Sequence, residues 1–338
     1  MRVAKTLIAL LLAFSSSVGT FAQREDDALT AARALLRQGK NRRAIELLRE
    51  VIARGPQPKG VSHDLGVAYY REGEYLEAAK YLQDAWKENP EDRDAVQLLG
   101  LSFYSSGRPA EAIPALERVR SWHPDSNIDA IYILGLCYVM VTRYPEARRT
   151  FAQLYGVEAD SAAAHLVLGR MLLRQGFDPA AESEIRTAIF ISPQLPLAHF
   201  ALGELSVYGG NYTKAIQEFE AELALNPACA PALTHLGEVY WRLSRDEDSQ
   251  KVLRRSISLD ATASESYAVL GKVLLRQGQP ALAEKNLHRA IRLNPGSYTA
   301  HYFLGQLYRD QGKREAAERE MRAAARIQQL QPSTAGRN

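Results

Sequence analysis

Histidine is the side chain in this sequence best suited to bind a metal ion or to transfer a proton near neutral pH. Seven histidines are present, and His165, His199 and His301 occupy one position of a 34-residue repeat. Zinc–nitrogen distances are about 2.0–2.1 Å, so side chains from separate repeats are too far apart to share one ion. No His-x-x-x-His pair or Cys pair accompanies them. We therefore expect the histidines to pack structurally, and we predict no metal site.

Nucleophilic and cofactor chemistry also lack a recognisable motif. The sequence contains no phosphate-binding loop, dinucleotide fingerprint or nucleophile elbow. Cys137 and Cys229 lie more than two repeats apart, whereas a disulfide requires Cα atoms within about 7 Å and each helix layer adds about 8–10 Å. We expect two free thiols. Repeats fill nearly the whole chain, which leaves no room for a catalytic domain, so we predict neither enzymatic activity nor a cofactor.

The elements that position these residues belong to an internal repeat, which is clearest between Ser62 and Pro90. At 100° per residue, Ser62, Leu65, Gly66 and Tyr69 fall on one side of a helix and form an apolar stripe. The spacing is 34 residues except for 35 between the third and fourth copies. The Gly66 position returns as Gly100, Gly135, Gly169, Gly203, Gly237, Gly271 and Gly305.

Glycine within a helix costs roughly 1 kcal/mol relative to alanine, so its recurrence needs a physical reason. We predict that a second helix, carrying the Ala78 position, approaches closely at Gly66. The Gly73 position is predicted to end the first helix in the left-handed conformation. Thr142 and Ser244 replace that glycine in two repeats.

These positions resemble the tetratricopeptide repeat. The resemblance implies an all-α, right-handed α-solenoid of about nine helix-turn-helix units, because one such unit cannot bury its apolar face alone. The seventh unit has the most polar core positions, which predicts the weakest interface near units six and seven. The predicted units are 25–58, 59–92, 93–127, 128–161, 162–195, 196–229, 230–263, 264–297 and 298–331, within a solenoid over residues 24–331.

The N-terminus has a different character. Arg2 and Lys5 precede an apolar run and then small residues up to Ala22. This order predicts a secretory signal peptide over residues 1–23, since the run is too short for a bilayer span of about 20 residues. We expect an exported protein, periplasmic or extracellular in a bacterium, with no integral membrane span. Residues 332–338 are predicted to form a disordered tail.

By the resemblance, one side of each first helix lines a concave groove. Its central positions are apolar and arginines flank them, which predicts a site for an extended segment with apolar anchors and some acidic residues. Two alternatives remain open: close packing buries the apolar residues, or the arginines only stabilise helix C-termini. The predicted groove residues are Leu101, Tyr132, Leu136, Met140, Leu166, Leu197, Phe200, Tyr208, Arg71, Arg170, Arg174, Arg242 and Arg276.

The resemblance implies a non-catalytic scaffold that binds a protein or peptide, which we place in cell-envelope or periplasmic assembly. The alternative is an adaptor or regulatory subunit of a secreted or membrane-bound machine. A helical-repeat RNA binder and an enzyme are remote alternatives. A net charge of +3 is too small to indicate nucleic acid. The family's chaperone-binding carboxylate clamp is not reproduced, because Leu29, His63 and Gln97 occupy corresponding positions.

Overall fold

The protein was analysed as a computed structural model, which describes residues 27–54, 58–122 and 127–330. Every regular element in these ranges is an α-helix, which confirms the all-α repeat fold. The predicted signal peptide and C-terminal tail lie outside the described residues. Within them, no helix combines the length and apolar character needed to cross a bilayer.

Eighteen helices form nine consecutive pairs in the described part of the chain. The first helices of the pairs are α1 (residues 27–37), α3 (Val61–Glu72), α5 (Arg93–Ser105), α7 (Ile128–Met140), α9 (Ala162–Gln175), α11 (Ala198–Tyr208), α13 (Ala230–Arg242), α15 (Ser264–Arg276) and α17 (Tyr298–Asp310). The second helices are α2 (Asn41–Arg54), α4 (Tyr75–Glu88), α6 (Pro109–Trp122), α8 (Tyr144–Tyr155), α10 (Asp178–Ile191), α12 (Tyr212–Leu225), α14 (Asp246–Leu259), α16 (Pro280–Leu293) and α18 (Arg314–Leu330).

The chain divides into two compact blocks. The N-terminal block comprises the described residues up to Ala159 and contains the first four helix pairs. The C-terminal block begins at Asp160 and contains the other five. Within each block, a first helix contacts both its own second helix and the first helix of the next pair. Residues from consecutive pairs can therefore form one surface inside a block.

Close approach at the repeated glycine is confirmed. A Cβ atom built on Gly66 would lie 2.5 Å from Cγ of Leu82, and one on Gly203 would collide with the ring of Phe219. Ala78, the predicted small partner on the second helix, is fully buried. Glycine leaves room for a large side chain of the second helix, so burial of that side chain offsets the helix-propensity cost.

The turn between the two helices of a pair uses left-handed backbone. Gly73 has φ 79° at the C-terminus of α3, as predicted. Thr142 and Ser244, which stand at the same repeat position, also adopt positive φ values of 59° and 58°. A branched or polar side chain is strained in this region, so the turn geometry is imposed by the packing of the two helices.

The polar core of the seventh pair is hydrogen-bonded. Thr234, Ser256 and Ser266 come from α13, α14 and α15 and form a buried hydroxyl triad, with oxygen–oxygen distances of 2.6, 2.9 and 3.0 Å. Ser249 donates to the carbonyl of Gly237 at 2.7 Å. Paired hydroxyls avoid the desolvation cost of unpaired ones. The predicted weakness of the interface near pairs six and seven stays a prediction.

Pro114 lies on the exposed side of α6, past its first turn, and α6 continues through it as a single helix. Proline past the first turn of a helix predicts a bend or a local widening of α6, which stays a prediction. Proline has no N–H to donate and its ring crowds the preceding turn. We expect Pro114→Ala to raise the free energy of unfolding by up to about 3 kcal/mol. Urea denaturation followed by circular dichroism measures the change.

Pro109 provides the control because it is the first residue of the same helix, where a backbone N–H would have no partner within the helix and its absence in proline costs little. Pro109→Ala should change the free energy of unfolding by less than about 0.5 kcal/mol. Equal effects of the two substitutions would contradict the proposed cost of Pro114.

Candidate protein-binding surface

The predicted groove residues of the N-terminal block differ in exposure. Met140 is 42% exposed, and Leu101 and Tyr132 are half-buried. Leu136 is only 5% exposed. Arg71 is exposed, and its Nη1 donates to the carbonyl of Leu36 at 3.0 Å. Leu136 therefore belongs to the core and is not free to contact a partner.

In the C-terminal block, close packing again removes part of the predicted apolar surface. Leu166 and Phe200 are buried, and the Phe200 ring lies 5.8 Å from that of Phe219. Leu197 is half-buried and precedes α11 with φ 68°, so it lies outside the helix on which it was predicted. Tyr208 remains 53% exposed. The alternative of burial thus holds for Leu136, Leu166 and Phe200.

What remains on this side of the C-terminal block is a mainly charged surface, named here the first-helix face, on which every side chain except that of Lys272 is at least partly accessible. It is formed by corresponding positions of four consecutive first helices. Its residues are Arg170 and Arg174 of α9, Glu204 and Tyr208 of α11, Glu238 and Arg242 of α13, and Lys272 and Arg276 of α15.

Two of the arginines on this face are held by neighbouring groups. Arg276 forms a salt bridge to Asp246 at 2.8 Å and donates to the carbonyl of Trp241 at 2.7 Å. Arg242 donates to Glu238 at 3.1 Å. The Arg276 contact resembles that of Arg71, since each guanidinium satisfies a carbonyl near the end of the preceding first helix. These contacts give the arginines a structural role.

Lys272 is a buried cation that sequence reasoning missed. It is 6% exposed, forms a salt bridge to Glu238, and lies 3.7 Å from the centre of the Trp241 ring. Phe303 covers it at 5.8 Å. Burial lowers the pKa of Lys272, while Glu238 opposes that shift. Carboxylate and aromatic faces together offset the cost of burying the charge.

Glu204 is the second missed residue. It is half-buried and near enough to Arg170 and Arg174 for both charges to act on it, and it receives no hydrogen bond from any described residue. Burial raises the pKa of this carboxyl, and the two arginines act in the opposite direction. Neither arginine forms a salt bridge within the described residues. A signal for Glu204 existed in the sequence, since it shares a repeat position with Leu136 and Arg170, where side chains point away from the core of the pair.

Glu222 shows how a charged residue can serve the fold. Its side chain is fully buried in α12, and it accepts hydrogen bonds from the amides of Leu197 at 3.0 Å and Phe200 at 3.4 Å. These amides begin α11 and have no partner within that helix. The carboxylate thus stabilises the N-terminus of α11 and also complements the helix dipole.

The repeated histidines pair with carboxylates instead of gathering around a metal. Nδ1 of His165 lies 2.6 Å from Glu184, and His199 and His301 make corresponding contacts of 2.8 and 2.6 Å with the second helix of their own pair. Among the described residues, no group of three or more potential ligands could hold a metal ion. The recurrence of histidine therefore reflects contact between the two helices of a pair.

Both cysteines are free and buried, as expected. Burial raises the pKa of Cys137 to about 12, and it also raises the pKa of Cys229. Since the thiolate is the reactive form, the folded protein holds both sulfurs in an unreactive state near neutral pH.

Comparison with protein families decides the classification. One tetratricopeptide repeat model matches residues 29–86, 200–265 and 269–332, and a second matches residues 69–132 and 103–170. The chain belongs to the tetratricopeptide repeat family. No match was found among curated proteins.

Several solved structures resemble this tetratricopeptide repeat chain at low sequence identity. The anaphase-promoting-complex hetero-tetramer Cut9–Hcn1 has 17% identity and a TM-score of 0.44 over 83% of this chain, which spans 55% of that structure's chain. MamA has 21% identity and a TM-score of 0.41, covering 48% of this chain and 94% of MamA. YrrB, described as having an unusual peptide-binding site, has 20% identity and a TM-score of 0.42, covering 55% and 95%. Likeness at this level concerns the fold alone.

Proposed function

We propose that this tetratricopeptide repeat protein is a non-catalytic scaffold whose first-helix face holds an extended segment of another protein. The fold itself suggests protein–protein interaction, and proteins built from this repeat are generally non-catalytic scaffolds. No part of the proposal requires nucleic acid, a metal ion or a cofactor.

The half-buried carboxyl of Glu204, which receives no hydrogen bond from any described residue, is the observation that carries the proposal. Partial burial disfavours its charged form, because protein that offers no hydrogen bond replaces part of the surrounding water. A peptide backbone or a donor side chain laid across α9 and α11 would supply such a bond. Arg170 and Arg174, whose charges act on Glu204, can then bind acidic groups of the same segment.

Tyr208 adds an anchor beside these charges. Its ring is 53% exposed at the end of α11, and tyrosine provides a large contact area with little loss of side-chain freedom. The apolar contribution to binding is smaller than the sequence predicted, since Leu166 and Phe200 are buried. We therefore propose a partner segment with acidic residues and one aromatic or aliphatic contact.

We also propose that the protein acts after export, in bacterial cell-envelope or periplasmic assembly. The support is the order of residues in the first 23 positions, with Arg2 and Lys5 before an apolar run and small residues after it.

Charge reversal and truncation on the first-helix face test the scaffold role. We expect the full-length protein to capture a partner from a bacterial envelope fraction, and Arg174→Glu with Tyr208→Ala to reduce recovery at least tenfold. Both side chains are exposed, so their replacement leaves the core intact. Quantitative mass spectrometry after crosslinking measures recovery.

A matched variant places the same kinds of change on the second helices. Arg254 of α14 is exposed and Phe190 of α10 is 87% exposed, so Arg254→Glu with Phe190→Ala alters charge and aromatic area equally. This variant should retain capture. Equal recovery by the first-helix variant would contradict the proposed site.

A further inference from the structure

A cavity of about 330 Å³ lies in the N-terminal block between α1 and α3. Its floor is apolar, made by Leu36, which is 7% exposed, and by half-buried Val67. Arg33, Arg37 and Arg71 line the remainder together with His63 and Asp64. Apolar floor and cationic rim are therefore combined in one concave site.

The charges around this cavity do not cancel. Arg33 is neutralised by Asp64, at 2.8 Å, whereas Arg71 donates to a backbone carbonyl and forms no ion pair with a described residue, which leaves its positive charge uncompensated. Arg37 is exposed and has no hydrogen-bond or ion-pair partner among the described residues. Nδ1 of His63 contacts Asp92 at 2.7 Å, so that carboxylate is already paired. Two positive charges thus face the cavity without an anion.

We infer that Arg37 and Arg71 bind the carboxylate of an acidic peptide segment, while an adjacent aliphatic side chain of that segment contacts Leu36 and Val67. Guanidinium groups bind carboxylates through two parallel hydrogen bonds, and such charge-assisted bonds are stronger than neutral ones. The apolar floor selects a carboxylate that has a hydrophobic neighbour over a free inorganic anion.

The inference rests on the proposed scaffold function only for the kind of ligand, a peptide. The cavity includes Arg33, His63 and Val67, which stand at positions of the chaperone-binding clamp, but the residues of that clamp are not reproduced there. Arg37 and Arg71 lie two turns beyond Leu29 and His63, near the C-terminal ends of α1 and α3.

A synthetic peptide of alternating glutamate and leucine, labelled with fluorescein, tests the pocket by fluorescence anisotropy with the full chain. Arg37→Gln with Arg71→Gln should weaken binding at least tenfold, and so should replacing the peptide glutamates with glutamine. Arg37→Lys with Arg71→Lys keeps the charge but loses the two-point geometry, so it should show an intermediate loss.

Arg42→Gln is the matched control, since Arg42 is 85% exposed and pairs with Glu72 outside the cavity; it should bind the peptide as the native chain does. The inference is overturned if the native chain fails to bind the acidic peptide, if the glutamine peptide binds equally, or if the double glutamine variant binds unchanged. Displacement by inorganic phosphate at equal concentration would also overturn it. The capture experiment alters only the C-terminal block, so its failure would remove the proposed function and leave this peptide result standing.

Discussion

Phe219→Ala should lower the free energy of unfolding by about 3–5 kcal/mol, which is the usual loss when a buried aromatic ring is removed. Phe219 is fully buried beneath Gly203, and its ring lies 5.8 Å from those of Phe200 and His235. Since repeats contact only their neighbours, the damage should concentrate in the sixth and seventh pairs. The urea midpoint and hydrogen exchange of α11 to α13 measure the effect.

Two controls separate loss of packing from loss of an aromatic residue. Phe190→Ala removes a ring that is 87% exposed and should lower the free energy of unfolding by less than about 0.5 kcal/mol.

Gly203→Ala should destabilise the native chain, because the added methyl group collides with the Phe219 ring. In the Phe219→Ala background the same methyl group enters the cavity, so Gly203→Ala should restore stability. A simple sum of the two single effects would contradict this packing.

Stability should also fall between about pH 10 and about pH 12. Tyr138, Tyr240 and Tyr308 stand at the repeated aromatic position of the first helices, and the pKa of each is raised to about 12 by burial, with a nearby glutamate adding to the effect. Tyr240 donates to Glu220 at 3.1 Å. Above pH 10 the unfolded chain loses these protons while the folded chain keeps them, so the free energy of unfolding decreases as pH rises.

A pKa raised from 10.0 to about 12 corresponds to roughly 2.7 kcal/mol, and solvent near the hydroxyl reduces this to about 2 kcal/mol per tyrosine. The lowered pKa of Lys272 acts in the opposite direction below its ordinary value of 10.5, where the unfolded chain binds the additional proton. Urea denaturation at pH 9, 10, 11 and 12, in steps of about one pH unit, measures the slope.

Tyr240→Phe should make the alkaline slope shallower, although it removes a hydrogen bond at neutral pH. Tyr155→Phe is the comparison, because the Tyr155 ring is 50% exposed, and it should leave the slope unchanged. An identical slope in the native chain and in Tyr240→Phe would show that the buried hydroxyls do not control alkaline stability.

The 34-residue period and the sizes of the repeated side chains were enough to predict the helix pairs and the contact at the repeated glycine. Each copy must fit two helices together at the same distance, so the same small residues recur. The tyrosine–glutamate bonds could not be predicted in this way. Glu117 and Glu220 share one repeat position, but Glu284 lies about one turn earlier on its helix, so one tyrosine is reached from a different point of the preceding second helix. Flexible glutamate side chains span that variation.

Burial of the groove residues was harder to predict. A helical period shows which side Leu136 and Phe200 occupy, but it does not give the distance between consecutive first helices, which decides their exposure. Lys272 illustrates the same limit, since a lysine in a sequence predicts a solvent-exposed side chain. Its burial depends on Trp241 of α13 and Phe303 of α17, two pairs apart in sequence order.

The buried hydroxyl triad affects how this chain can change by duplication or loss of repeats. At most junctions between consecutive pairs, joining one 34-residue copy to a different copy would bring together the same kinds of small and apolar residues that meet in the present chain. Thr234, Ser256 and Ser266 come from two different pairs and satisfy one another. Deleting the seventh pair would leave Ser266 without both of these partners, at a cost of about 1–3 kcal/mol, whereas Thr234 and Ser256 would still contact each other if the eighth pair were lost. We therefore expect loss of the seventh pair alone to be disfavoured, because the eighth pair depends on it.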